Sequence, residues 1–132
     1  MHLILCIDQR NGMSFCGRRL SSDIRLTEYI LQLAIGSKLW MNEYSANLFP
    51  AAVITTDEDF LQKAAEGEYC FAENTPLEGI TDLESVTLCH WNRSYPFTQA
   101  FPRSLIADMR LTHTDHFPGH SHEKITIERY TR

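Results

Sequence analysis

Residues 3 to 7, LILCI, constrain this chain more than any other stretch: five consecutive apolar residues, cut off by Asp8. A run without polar alternation suits a strand buried on both faces, and that occurs where helices cover a parallel sheet. The residues after Asp8 are compatible with such a sheet. DQRNGMSFCGRR reads as a loop, punctuated by Asn11-Gly12 and Gly17. SSDIRLTEYILQLAIG reads as the clearest helix, capped by Ser21 or Ser22, with Asp23 in its first turn and Gly36 ending it.

Further along, KLWM predicts a short strand, EYSANLF a short helix and AAVITT a strand. DEDFLQKAAEG predicts a helix from an Asp57 cap to Gly67, and EYCFAE and ESVTLCHW two more strands, linked through PLEGITD. The last quarter changes character: MRLTHTDHF and EKITIERYTR alternate like an antiparallel pair joined across a histidine-rich segment. Strands alternating with helices, then a terminal antiparallel pair, predict an α/β fold: a mixed sheet flanked by helices, in one domain over residues 1–132.

Composition narrows the partners. A net charge of −5 argues against broad binding to nucleic acid or to anionic membranes, because an acidic surface attracts neither. No apolar run approaches a membrane span, and MHLILCID is too short for a secretory leader, so the expected location is the cytoplasm. The four cysteines form no C-x-x-C pair. Cys6, Cys70 and Cys89 sit in apolar runs and read as small buried hydrophobes, while Cys16, beside Gly17 and Arg18, is the candidate for a reactive thiol.

Two segments concentrate chemistry. In GRRLSSD, Arg18 and Arg19 precede a helix N-terminus, with Ser21 and Ser22 adding hydroxyls, a combination suited to a phosphate or carboxylate. The same residues also fit a solvated arginine pair before an ordinary serine cap. HTDHFPGHSH holds four of the chain's six histidines, His113, His116, His120 and His122. If His120 and His122 point to one side of a strand and His113 and His116 approach from the facing one, the four could ligate zinc; a polar turn or a pH-sensing role fits the same residues. Trp91, Tyr95 and Phe97, interleaved with Arg93, suit either ring stacking or core packing. No nucleophile is visible with a base beside it.

The order of elements, with CIDQRNGM, GRRLSSD, LWMNEYSANLF, LCHWNRSYPFTQAFP and SHEKITIERYTR, resembles the dihydrofolate reductase family over nearly the whole chain. The resemblance implies a catalytic carboxylate at Asp23 and a pocket lined by Asn42, Tyr44 and Ser45, and it places the histidine hairpin away from that pocket. The chain also departs from the family. FAENTP puts Glu73 where family members have consecutive glycines against the NADPH diphosphate, and Asn42-Glu43 replaces a phosphate-binding Gly-Arg. Arg18-Arg19 stands where a tryptophan is common. The expected function is therefore that of a divergent member binding a small anionic or heteroaromatic ligand through Arg18, Arg19, Ser22, Asn42, Tyr44 and Ser45, its cofactor unknown. The alternatives are a reductase with an altered cofactor site and a non-enzymatic interaction module or homodimer. HTDH is shorter than the H-x-H-x-D-H signature of metallo-β-lactamase-fold nucleases, so a ribonuclease Z-type metal-dependent hydrolase ranks last.

Overall fold

A computed structural model describes residues 1–132. Strand β1 (His2–Ile7) runs through the middle of a seven-stranded sheet. It is buried on both faces, as an unbroken apolar run requires: Leu3, Leu5 and Ile7 enter one core cluster, and Ile4 enters the other with Cys6 packed against it. The remaining strands are β4 (Leu39–Met41), β5 (Thr55–Thr56), β6 (Tyr69–Phe71), β7 (Ser85–His90), β9 (Arg110–Phe117) and β10 (Ile125–Thr131), in the spatial order β5-β4-β6-β1-β7-β10-β9. β1 pairs parallel with β6 and β7, while β10 runs antiparallel to β7 and β9, so the sheet is mixed as expected. No helix is long and apolar enough to cross a membrane.

Helix α1 (Ile24–Leu33) covers one face by burying Leu26, Ile30 and the following Ala34, at i, i+4 and i+8, against Ile4, Met41, Phe71 and Ile127. Its N-cap is Asp23, whose carboxylate accepts the N–H of Arg25, and not Ser21 or Ser22. The chain leaves the helix through Gly36 at φ +83, a left-handed conformation that costs glycine little. Helix α2 (Glu43–Ala46) is capped by Asn42.

Three expectations need correction. The loop after β1 contains a small antiparallel sheet, in which β2 (Gly12–Phe15) pairs with β3 (Arg18–Arg19) and β8 (Gln99–Ala100). The β2–β3 turn places both Cys16 (φ 49) and Gly17 (φ 79) at positive φ, the sign pattern of a tight hairpin turn. AAVITT is strand only at Thr55–Thr56, because the chain after Pro50 coils into a 3₁₀ turn over Ala51–Val53 that leaves Val53 exposed. The helix expected from Asp57 to Gly67 is a single turn, α3 (Phe60–Lys63). Only Phe60 of that turn is buried, and Ala64 at once turns extended.

Candidate functional site

Parallel strands β1, β4 and β6 end at one edge of the sheet, and the first polar residues beyond them are Asp8, Asn42 and Glu73, all buried. In open α/β sheets, ligands bind outside the carboxyl ends of such strands. Asp8 is a scaffold. Its carboxylate accepts the N–H groups of Arg10, Gly12 and Tyr95 at 2.8, 2.7 and 3.0 Å, tying the turn after β1 to the loop after β7.

Around Glu73 the structure gathers most of the residues expected to bind ligand, and satisfies them internally. Arg19 donates through Nε and Nη2 to the two Glu73 oxygens at 2.9 and 3.1 Å, and the Ser45 hydroxyl donates to Oε1 at 2.8 Å. The Arg19 guanidinium lies 4.2 Å from the Tyr44 ring centroid and also donates to the Tyr44 carbonyl. Burial works against the Arg19 charge, but the Glu73 carboxylate outweighs it and the arginine pKa is raised. Asn42 accepts the Ser45 N–H with its Oδ1 and donates to Asn74 and Thr75. Arg18 and Ser22 are exposed, and the backbone carbonyl of Ser22 lies 3.5 Å from the Ser121 hydroxyl. The cavities lined by Met1 and Arg132, by Lys38 and Thr55, by Tyr29 and Thr131, and by Glu28 and Leu31 contain none of these residues.

A second polar group surrounds Asp23. This carboxylate does not face an open cleft. Its Oδ1 accepts the N–H groups of Arg25 and His120 at 2.9 and 3.0 Å; its Oδ2 accepts the Ser121 N–H at 2.9 Å, the Ser121 hydroxyl at 3.2 Å and His122 Nδ1 at 2.9 Å. Burial alone would push its pKa up; the amides of His120 and Ser121, the His122 ring and the Arg25 amide outweigh that and hold it well below the usual carboxylate range. His122 is itself buried, stacked on Trp91 with centroids 4.7 Å apart. Its Nε2 lies 3.0 Å from Ser21 Oγ and 3.4 Å from the Tyr95 hydroxyl.

The four histidines therefore do not meet as a metal site. His113 and His116 lie exposed on edge strand β9, His120 sends an exposed side chain outward from the turn after it, and His122 faces the opposite way into the protein. No group of three or more metal-capable side chains gathers anywhere in the structure. Nor is the hairpin remote, as the resemblance implied, since its turn docks on the N-terminus of α1. The hydroxyl–imidazole contact that no local pattern reveals joins Ser21 and His122, 101 positions apart. Its one legible trace was the concentration of hydroxyls and histidines at the two segments that meet.

The element order and the mixed seven-stranded sheet define an α/β protein with a dihydrofolate reductase-like fold. Among solved structures it is similar to dihydrofolate reductase from Enterococcus faecalis, in complex with NADP(H) and RAB-propyl, at a TM-score of 0.68 and 12% identity, covering 99% of this chain and 95% of that one. No family model and no curated protein sequence matches the chain.

Proposed function

We propose that the protein binds a small anionic or heteroaromatic molecule at the cleft edge of this fold, and that it does so without a nicotinamide dinucleotide. The observation that carries the reading is the Arg19–Glu73 pair. The fold neighbour is complexed with NADP(H), and a diphosphate needs free N–H donors or cations against it. Here the end of β6 presents Glu73, and the nearby cation Arg19 is already spent on it. An arriving diphosphate must break that pair and then face a bare carboxylate. At an effective dielectric of about 20, such a like-charge contact near 4 Å costs roughly 4 kcal/mol. A smaller ligand avoids the conflict: exposed Arg18 and Ser22 meet its charge, and Arg19, Asn42, Tyr44 and Ser45 form the wall behind them.

The test compares melting temperatures with millimolar NADPH and with millimolar folate, an anionic heteroaromatic probe. Ligand at a hundred times its dissociation constant adds about 2.7 kcal/mol, a shift of several degrees for this size. Folate is expected to raise the transition, less so in Arg18→Ala, and NADPH to leave it unmoved. A clear NADPH shift overturns the reading. A second reading, an interaction module, is favoured by the filling of the cleft with side chains. It predicts no response to either compound, and self-association on sizing.

A further inference from the structure

We infer that Ser21, His122 and Asp23 form a nucleophile, a general base and an orienting carboxylate, and that they give the protein an acyl-transfer activity toward small carboxylic esters. These three residues include neither Arg18 nor any member of the Glu73 group, so the activity is independent of the ligand binding proposed for that edge.

Chemistry and geometry fix the roles. Asp23 is held ionised, so its Oδ2 can only accept, and His122 Nδ1 at 2.9 Å must carry the proton between them. In the neutral ring Nε2 then bears the lone pair, and the hydroxyl 3.0 Å away, Ser21 Oγ, donates to it. That is the arrangement by which a serine is activated on several unrelated folds, recognised by geometry and not by sequence order. The base is also preorganised. Trp91 stacks on its ring, and the turn that carries it is seated on Asp23 through the amides of His120 and Ser121. The turn fits so closely that a Cβ on Gly119 would lie 2.6 Å from Asp23 Oδ2.

Ser21 differs from its two partners in being only half-buried, between β3 and α1 and next to exposed Ser22. The serine thus keeps partial exposure, whereas the base and the carboxylate are buried. The first-turn amides of α1 have no intrahelical partners, and Arg25 N–H is taken by Asp23.

The step balances without a cofactor. Ser21 Oγ bonds to the acyl carbon as its proton passes to His122 Nε2, and the carbonyl π pair moves onto oxygen. Collapse breaks the bond to the leaving alkoxide, which takes that proton from Nε2. Water, giving a proton to Nε2, then attacks the acyl-serine; the acid leaves and Nε2 returns the proton to Ser21.

The test treats the full-length protein with a fluorophosphonate, locates the adduct by peptide mass mapping, and measures 4-nitrophenyl acetate turnover in parallel. Ser22, one residue away and without an imidazole against it, is the comparison inside the same molecule. Phosphonylation of Ser21 at least about 100-fold faster than of Ser22 is expected, the span that general-base assistance contributes, with ester turnover lost in Ser21→Ala. Folded wild-type protein that gains no adduct at Ser21, or labels both serines equally, overturns the inference. His122→Asn, if it keeps its melting transition, should lose the selectivity; a selectivity that survives in that folded variant overturns it as well. Should His122→Asn not fold, the Ser21-to-Ser22 ratio in wild type decides alone.

Discussion

Arg19 and Glu73, 54 positions apart, meet side-on through two parallel hydrogen bonds, with Glu73 buried and Arg19 partly so. Two-point contact of this kind is strong and directional. Its energetic meaning lies in what happens when one partner goes: a buried carboxylate without its cation costs about 3–5 kcal/mol, whereas replacing both by apolar groups is often neutral. Arg19→Met is thus expected to lower the melting temperature by about 10 °C, and Arg19→Met with Glu73→Leu to recover most of the loss. A double variant as unstable as the single one would show that the pair has no such coupling.

Asp23 makes stability depend on acid. Its native pKa is depressed and its unfolded value is about 3.9. Between those values the unfolded chain binds the proton and the native protein does not, so stability rises with pH there and is fully present above about pH 4. Asp23→Asn should cost about 3 kcal/mol near neutrality, given charge-assisted bonds of about 1.5–3 kcal/mol each. The gap to wild type should then narrow as pH falls below about 4. Asp8, also depressed because the Tyr95, Gly12 and Arg10 amides and the Arg10 charge outweigh its burial, is common to both proteins and cancels. Denaturant unfolding from pH 7 to pH 2.5 reads this directly, and a gap constant across the range contradicts it.

What was legible in the sequence was local. LILCI suits an inner strand, and the apolar spacing after Asp23 suits a helix face, and the structure has both. Ser21, Ser22 and Asp23 are all good caps, so the serines point one or two residues early, and only the contact with Arg25 N–H selects Asp23. The β2–β3 hairpin leaves little local mark, because Cys16, unlike asparagine or glycine, gives no sign that it will adopt φ 49. Both candidate sites failed to show for one reason. Arg19 and Glu73 were each visible as charges, and Ser21 and His122 as reactive types, but pairing across 54 and 101 positions is a property of the sheet order, which no local pattern encodes.

Gly119 tests how tightly the hairpin turn holds His122. A Cβ there would meet Asp23 Oδ2 at 2.6 Å and the His122 carbonyl and Ile125 Cδ1 at 3.0 Å, and the first two, a carboxylate oxygen held by hydrogen bonds and a backbone carbonyl, cannot move aside cheaply. Gly119→Ala should cost about 1–3 kcal/mol as overpacking. It should also displace the turn, so that protection of the His120 and Ser121 amides from hydrogen exchange falls selectively. Unchanged protection at those two amides would mean the turn is not held by Asp23.

The four thiols should divide one against three. Cys16 is exposed at the tip of the β2–β3 hairpin, whereas Cys70 and Cys89 are buried. Cys6 is only partly shielded, yet it lies opposite Cys89 in the β1–β7 register, and the contact with that thiol together with burial pushes its pKa well up. Burial likewise pushes Cys70 up to about 12. Alkylation needs the thiolate and access to it, so exposure favours Cys16, while the raised pKa values of Cys6 and Cys70 hold those two back. In native protein at pH 7 a maleimide should add once, at Cys16, and in denaturant four times, both counted by intact mass. Fast addition at Cys6 would show that strands β1 and β7 separate on the labelling timescale; Cys6 is the sensitive reporter because its neighbour across the ladder, and not depth alone, keeps it protonated.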